Sequence, residues 1–258
     1  MSKSRWEIMK IDIHTHVLPG IDDGARDWDM CLQMLAKSAE CGVQRIVATP
    51  HYLPWRKNVH PDEIRRLCLE AMEKLEASYG ISMDIYPGNE IYYSMGIVER
   101  VRSGEVLTLA DSRYTLIEFK TASSYQELCR AVRELRDGGY IPIIAHMERY
   151  KCLENVERVM ELKDMGAMFQ MNISSIQGGF FDSMSRRAKR FLQEGWIEFL
   201  ASDMHDLEKR PPMKMNDFQW LEKKLGLEYE KDLLCSNADI ILQQKMRKDN
   251  TDNGKQQQ

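Results

Sequence analysis

The sequence lacks the features of several functional classes. Its 258 residues contain no run of about 18 apolar residues, which a transmembrane helix requires, and no apolar signal segment follows the start MSKSRWEIMK. Lys and Arg are not concentrated in any stretch, although a protein that binds nucleic acid needs a clustered basic face for the phosphates. We therefore expect a cytoplasmic protein that neither inserts into a membrane nor binds nucleic acid.

Cysteine is present without the spacing of a disulfide framework or a thiolate metal site. None of the six cysteines forms a CxxC pair, and we expect all of them to be reduced and to pack as small apolar side chains. The sequence also lacks a fixed-period repeat and an internal linker. With 43% hydrophobic and 29% charged residues, it predicts a single globular domain at residues 1–247, followed by a disordered polar tail at residues 248–258.

Short apolar runs alternate with longer amphipathic stretches along the chain. Seven of the runs are predicted strands, and RIVAT at residues 45–49 is typical of a buried one. Residues 61–79 are predicted to form a helix with proline in its first turn and apolar side chains on one face. Because parallel strands are usually connected by helices, the alternation predicts an α/β fold whose parallel sheet closes into a barrel.

Most histidines fall at or just beyond the predicted carboxyl ends of strands. The five at such positions are His14, His16, His51, His146 and His205. Glu90, Glu118 and Asp203 occupy comparable positions. In a parallel barrel these strand ends meet on one face, which carries the active site. We therefore predict that these side chains converge, whereas His60, in a polar turn, is interpreted as an ordinary surface residue.

The residue types and their spacing predict a metal site. Alternate residues of a strand point the same way, so His14 with His16, and Asp203 with His205, can each bind one ion. Imidazole and carboxylate ligands without thiolate suit Mn, Fe, Co or Zn in a hydrolytic site. The candidates exceed what one tetrahedral ion needs, so two or three ions that share carboxylates are expected. Asp23 in GIDDG is open to two interpretations, a ligand or a turn former.

A series of motifs resembles a known superfamily. IDIHTH, TPH, GNE, EF, AHMER and SDMH resemble, in this order, the motifs of the polymerase and histidinol phosphatase (PHP) superfamily. Within it, DIHTHVLPGIDDGA, ATPHY, SDMH and RPP are most similar to bacterial manganese-dependent protein-tyrosine phosphatases of capsule and exopolysaccharide loci. The resemblance covers residues 10–215 and is specific, because an ordered series is far rarer than one HxH. It implies a distorted, TIM-like (β/α)7 barrel.

The resemblance also implies a ligand set for three divalent ions, with Mn expected and Fe, Co or Zn as alternatives. The first ion would be held by His14, His16, Glu90 and Asp203. Glu90 would bridge to a second ion that is also held by Glu118 and His146. The third ion would be held by Asp23, His51 and His205.

Two arginines match the phosphate-binding arginines of the family. Arg149 lies in AHMERY and Arg210 in EKRPP, and a guanidinium can bind two phosphate oxygens at once. Arg149 could instead form a salt bridge with Glu148 or another neighbour, and Arg210 could remain a solvated surface charge. The implied reaction is attack on phosphorus by a metal-bridging hydroxide. Whether Asp203 or a metal-bound water protonates the leaving group stays open.

A cysteine-based mechanism has one matching string, the CxxxxxR segment from Cys152 to Arg158. We reject it, because a phosphate-binding loop needs small residues and glycine, whereas CLENVERVMELK predicts an amphipathic helix. Four aromatic residues near the predicted site either form a slot for a phenyl ring or cap the barrel rim. They are Tyr52, Trp55, Tyr92 and Tyr93.

The resulting functional hypothesis is a metal-dependent protein-tyrosine phosphatase. Its expected partner is a phosphotyrosine-bearing bacterial tyrosine kinase of polysaccharide assembly. A small-molecule phosphatase of the histidinol-phosphate type is the first alternative, and a non-catalytic metal-binding or polymerase-associated module is the second. The sequence does not predict an oligomeric state.

Overall fold

The computed structural model describes residues 9–178 and 182–244. The strands are β1 (Lys10–Thr15), β2 (Val43–Ala48), β3 (His51–Tyr52), β4 (Asp84–Pro87), β5 (Glu90–Tyr92), β6 (Tyr114–Glu118), β7 (Ile141–Ile144), β8 (Met168–Asn172) and β9 (Phe199–Ala201). The helices are α1 (Trp28–Glu40), α2 (Pro61–Tyr79), α3 (Ile97–Arg102), α4 (Tyr125–Asp137), α5 (Val156–Asp164), α6 (Ser183–Gln193), α7 (Met215–Leu225) and α8 (Leu227–Lys231). A π-helical turn at Asp232–Ser236 connects α8 to helical residues 237–244.

The strands form one parallel barrel in chain order. β1 pairs with β2 and β2 with β4, while β3, β5, β6, β7, β8 and β9 pair in succession, and every pair is parallel. β3 follows β2 directly in the chain and β5 follows β4, and each two consecutive strands together occupy one position of the barrel. The barrel closes where the residues after β9 meet β1, since Asp203 N donates to His14 O at 3.0 Å and His16 N donates to Met204 O at 2.9 Å. The predicted (β/α)7 barrel is therefore confirmed.

Local sequence signals set the helix boundaries. The helix predicted at residues 61–79 is α2, with Pro61 in its first turn and Gly80 in the left-handed conformation (φ 66°) at its end. His60 caps α2 by accepting a hydrogen bond from Asp62 N, which gives it a surface role. Ile64, Leu67, Ala71 and Leu75 are buried at three- and four-residue spacing.

One end of the barrel is covered by the last described helix. Asn237 Nδ2 donates to Glu198 O at 2.8 Å, just before β9, and Arg45 Nη1 donates to Asp239 Oδ1 at 2.7 Å from the first half of β2. Ile241 and Leu242 join an apolar cluster with Ile11. The amino ends of the strands are thus sealed, which leaves the carboxyl ends for the functional face.

The start of α5 differs from the sequence prediction, and the predicted tail lies outside the described residues. The helix predicted for CLENVERVMELK is wrong for its first four residues. Cys152 lies in a 3₁₀ turn (Lys151–Glu154), and α5 begins at Val156 because Asn155 Oδ1 accepts from Arg158 N. The predicted tail at residues 248–258 lies outside the described residues, and the domain boundary at 247 stays a prediction. None of the described helices is both long enough and apolar enough to cross a membrane.

Candidate metal centre

All nine side chains predicted as metal ligands meet at the carboxyl ends of the strands. His14 lies in β1, His51 in β3, Glu90 in β5 and Glu118 at the end of β6. The other five follow β1, β7 or β9: His16, Asp23, His146, Asp203 and His205. Asp23 comes from the loop between β1 and α1. β8 contributes none of the predicted ligands.

Their nitrogen and oxygen atoms form four overlapping groups, within each of which the atoms lie no more than 4.8 Å apart. The groups are His16–Asp23–His51–His205, His14–Glu90–His146, His14–His16–Asp203 and His51–Glu90–Glu118. The groups overlap the expected ligand sets but do not coincide with them, since His16 joins Asp23, His51 and His205, and His14 joins Glu90 and His146. Glu118 groups with His51 instead of His146, whose Nε2 lies 3.9 Å from Glu118 Oε1.

Glu90 is the centre of this cluster and is only 1% exposed. Its Oε1 lies 2.8 Å from His146 Nε2 and 3.3 Å from His14 Nε2. Its Oε2 lies 2.8 Å from His51 Nδ1 and 3.3 Å from His16 Nε2. A carboxylate that faces four imidazoles with both oxygens has the position of a bridging ligand.

Four of the five histidines share one orientation, in which Nδ1 faces an oxygen acceptor and Nε2 faces the cluster. The Nδ1 partners are Gln170 Oε1 for His14 (3.2 Å), Asp22 Oδ2 for His16 (2.7 Å), Asn172 Oδ1 for His146 (3.0 Å) and the main-chain oxygen of Asp203 for His205 (2.8 Å). A proton on Nδ1 satisfies each acceptor and leaves the Nε2 lone pair free for a metal ion.

Three of these orienting residues were missed by the sequence analysis. The motifs and strand ends of the sequence assign no orienting role to Asp22, Gln170 or Asn172. The last two are buried polar residues at alternate positions of β8, and this pattern in a buried strand is the signal that could have identified them.

Two ligand positions have a strained backbone. His146 and Asp203 have φ values of 56° and 55°, in the left-handed region that side chains other than glycine rarely adopt. The surrounding contacts hold both residues there. Such strain is typical of functional sites.

The electrostatics of the cluster favour bound cations. Burial alone would raise the pKa of Asp203, but His14 and His146 lower it far below its usual range. Burial opposes protonation of His51, but Asp23 and Glu90 raise its pKa to about 10. The pKa of Glu118 is raised by burial and by the charge of Glu90. A divalent ion that binds here would therefore displace the proton held by the His51 imidazole.

The donor set fits divalent metal ions. The buried polar atoms of the described residues that lack a partner in hydrogen-bonding geometry include Glu90 Oε2, His51 Nδ1 and His205 Nε2. Buried polar atoms without partners are costly, and all three atoms belong to the cluster. A metal ion would satisfy them, and imidazole with carboxylate is a ligand set for Mn, Fe, Co or Zn.

Comparison with known proteins assigns the family. Residues 10–243 match the family model for capsular polysaccharide synthesis, CpsB/CapC. The chain belongs to the CpsB/CapC family. It is 35% identical over 240 residues to the tyrosine-protein phosphatase CpsB of Streptococcus pneumoniae, covering 90% of this chain and 98% of that protein. It is 30% identical over 233 residues to the tyrosine-protein phosphatase YwqE of Bacillus subtilis, covering 90% and 91%.

Solved structures agree with this assignment. The crystal structures of YwqE and CpsB, reported as metal-dependent tyrosine phosphatases, include a chain that matches with a TM-score of 0.81 at 31% identity, over 91% of this chain and 95% of that one. Histidinol phosphate phosphatase from Lactococcus lactis shares the fold, with a TM-score of 0.53 at 14% identity, over 84% and 94%. The family resemblance predicted from the motifs is therefore confirmed.

In this CpsB/CapC chain both predicted phosphate-binding arginines lie beside the cluster. Arg149 Nη2 donates to Asp203 Oδ2 at 3.1 Å, and its Nη1 lies 3.7 Å from Glu118 Oε1. Arg210 Nη2 donates to Asp23 Oδ2 at 2.9 Å. Both side chains keep substantial solvent exposure. Arg149 thus forms a salt bridge and Arg210 is paired with Asp23, while phosphate binding by either residue stays a prediction.

A cavity of about 570 Å³ opens over the cluster, with Asp23, His51 and Glu118 in its lining. Trp55 and Tyr92 also line it, in agreement with the aromatic slot. The other two aromatic residues do not. Tyr52 and Tyr93 are buried, and their hydroxyls donate to Glu105 and Glu134. They pack behind the rim, so the slot prediction is wrong for them.

Proposed function

We propose that the chain is a metal-dependent protein-tyrosine phosphatase whose substrate is a bacterial tyrosine kinase of capsule or exopolysaccharide assembly. The observation that carries this proposal is that two arginines pair with carboxylates of a carboxylate–histidine cluster, part of which lines an open cavity. The support from relatives is that proteins named tyrosine-protein phosphatases are 30–35% identical over 90% of this chain.

The proposed site holds three divalent ions, with Mn as the metal. The ligands are His14, His16, Asp23, His51, Glu90, Glu118, His146, Asp203 and His205. Bound divalent ions would lower the pKa of a water molecule enough to supply a nucleophile at neutral pH, and would offset the charge of the phosphate.

The two arginines orient the substrate. Each guanidinium has five N–H donors and contacts a site carboxylate through one terminal nitrogen in hydrogen-bonding geometry. The remaining donors of Arg149 and Arg210 can bind phosphate oxygens beside two different carboxylates of the cluster, since Arg149 pairs with Asp203 and Arg210 with Asp23. This arrangement favours one orientation of the phosphoryl group.

Asp203 acts as a ligand and not as the proton donor. His14 and His146 keep its pKa low, although burial opposes this, so the carboxyl group is ionised at neutral pH. Tyrosinate leaves with a pKa of about 10, and it therefore needs less protonation than an alkoxide. This difference favours an aryl over an alkyl phosphate.

One experiment separates the candidate functions. The purified protein is analysed for metal content and assayed with a phosphotyrosine peptide, a phosphoserine peptide and histidinol phosphate, with and without added Mn²⁺. We expect Mn-dependent turnover of the phosphotyrosine peptide above that of the other two. Preferential turnover of histidinol phosphate would indicate the small-molecule phosphatase, and bound metal without turnover of any substrate would indicate a non-catalytic module.

A further inference from the structure

The segment between β3 and α2 forms one wall of the cavity over the cluster. Residues 53–59, which we call the rim loop, contribute Trp55, Arg56 and Lys57 to the lining, opposite Asp23 and Glu118. Trp55 is 61% exposed. A large indole left in water at the entrance to a polar site is a candidate contact surface for an apolar group.

Trp55 is fixed in place by Tyr92. Their ring centroids lie 4.6 Å apart with the planes at 82°, an edge-to-face pair. Tyr92 is itself placed by the register of the sheet, in which it pairs with Glu118, while His51 pairs with Glu90. The indole therefore stands beside the metal cluster at a position set by the barrel.

The rim loop is closed by internal hydrogen bonds. Asn58 Oδ1 accepts from Leu53 N at 2.8 Å, and Asn58 Nδ2 donates to Leu53 O at 2.9 Å and to Arg56 O at 3.1 Å. Arg56 N also donates to Leu53 O at 3.0 Å. The loop thus holds its shape without a ligand, which reduces the entropic cost of binding one.

The rim loop carries positive charge that the neighbouring acids do not neutralise. Within residues 9–178 and 182–244, the side chains of Arg56 and Lys57 have no ion pair. Of the nearby acids, Glu63 pairs with Arg66, and Glu105 accepts a hydrogen bond from Tyr52. Arg56 and Lys57 also line a second cavity of about 860 Å³ on the far side of the loop. They form a cationic ridge between the two cavities.

We propose that the rim loop selects the substrate, with the indole of Trp55 packing on the phenyl ring of phosphotyrosine and with Arg56 and Lys57 binding an acidic side chain next to it in the peptide. Only one oxygen separates phosphorus from the phenyl ring, so a phosphate at the cluster brings the ring beside Trp55. The neighbouring peptide residue then crosses the cationic ridge. This inference rests on the proposed function.

The contribution of the indole is measured with Trp55→Ala and Trp55→Phe. For a phosphotyrosine peptide we expect Trp55→Ala to raise KM about tenfold, and Trp55→Phe to restore most of the loss. The inhibition constant of inorganic phosphate, which has no ring, should not change. Tyr79→Ala, at an exposed aromatic residue at the end of α2, is the matched control and should leave KM unchanged.

The cationic ridge is tested with the double variant Arg56→Gln, Lys57→Gln. The substrates are two phosphotyrosine peptides that differ only in acidic or amide side chains beside the phosphotyrosine. The variant should raise KM several-fold for the acidic peptide and leave KM for the amide peptide unchanged. In the unaltered protein, high salt should weaken the preference for the acidic over the amide peptide. Lys37→Gln, at an exposed lysine of α1, is the control.

The outcomes separate this inference from the proposed function. Absence of phosphotyrosine turnover by the unaltered protein with every divalent metal overturns both. Turnover by the unaltered protein with an unchanged KM in Trp55→Ala overturns the role of the indole alone. In the double variant, an equal rise in KM for the acidic and the amide peptide overturns the role of the ridge. In Trp55→Ala, a rise in KM that is accompanied by reduced metal content overturns the role of the indole.

Discussion

Asn172 donates a hydrogen bond from Nδ2 to Oδ2 of Asp203 over 2.7 Å. Its other amide atom, Oδ1, faces His146 Nδ1 at 3.0 Å. One amide on β8, a strand without any predicted ligand, thereby orients two predicted ligands that follow β7 and β9. The metal site depends on this strand for orientation.

Replacement of Asn172 by alanine should weaken metal binding. The variant removes the acceptor for His146 Nδ1 and one donor to Asp203, and loss of such orienting contacts costs about 10- to 100-fold in metal affinity. Metal affinity is measured by titrating the metal into the metal-free protein and monitoring activity. Asn237→Ala, which removes an amide that donates to Glu198 O far from the cluster, should leave metal affinity unchanged. Equal affinities in the two variants would contradict the orienting role.

Replacement of Arg149 by lysine should impair phosphate binding. Lysine keeps the charge but not the planar fork, and hydrogen bonds to charged groups contribute about 1.5–3 kcal/mol. We expect kcat/KM to fall at least tenfold with metal content unchanged. Arg158→Lys, in the exposed first turn of α5, is the matched control. An unchanged kcat/KM in Arg149→Lys would remove Arg149 from the phosphate site.

The thiol of Cys152 should have no part in turnover. Burial raises its pKa, so the thiolate is scarce at neutral pH, and Cys152 is absent from the lining of the cavity over the cluster. We expect Cys152→Ser to retain activity within about twofold, whereas Asp203→Asn and His146→Ala abolish it. Loss of turnover in the serine variant would instead support a cysteine nucleophile.

Gly24 should be intolerant of a side chain. An added Cβ would lie 1.9 Å from the main-chain oxygen of His16, so the loop that carries Asp22 and Asp23 would have to move. We expect Gly24→Ala to reduce metal affinity and to cost about 1–3 kcal/mol of stability. Gly195→Ala, with φ 70° but no atom within 4 Å of the added Cβ, should affect stability without changing metal affinity.

Removal of metal should lower thermal stability as well as activity. Ions that bind only the folded state add about 2.7 kcal/mol of stability at a concentration 100 times Kd, and the crowded carboxylates of the cluster repel one another without them. Thermal unfolding with a chelator and after Mn²⁺ is restored measures the effect. A melting temperature that does not depend on the metal would argue against the proposed ligand set.

Much of the site could be predicted because strand ends in a parallel barrel share one face. That rule brought His14, Glu90 and His146 together from distant parts of the chain. The same rule could not decide whether Tyr52 and Tyr93 form the slot or cap the rim, because the burial of a rim residue depends on its neighbours. Glu105 and Glu134 accept hydrogen bonds from these two tyrosines and hold them in the interior.

The sequence by itself predicted the strand and helix alternation, the barrel and eight of the nine candidate ligands, because periodicity and residue type are local properties, and Asp23 was added by the family resemblance. Only the tertiary structure decided which atoms face each other. It assigned Asn172 and Gln170 to orienting histidines, paired Arg149 with Asp203, and left Trp55 exposed beside the cluster. These relations depend on side-chain directions across the barrel, which residues distant in sequence set together.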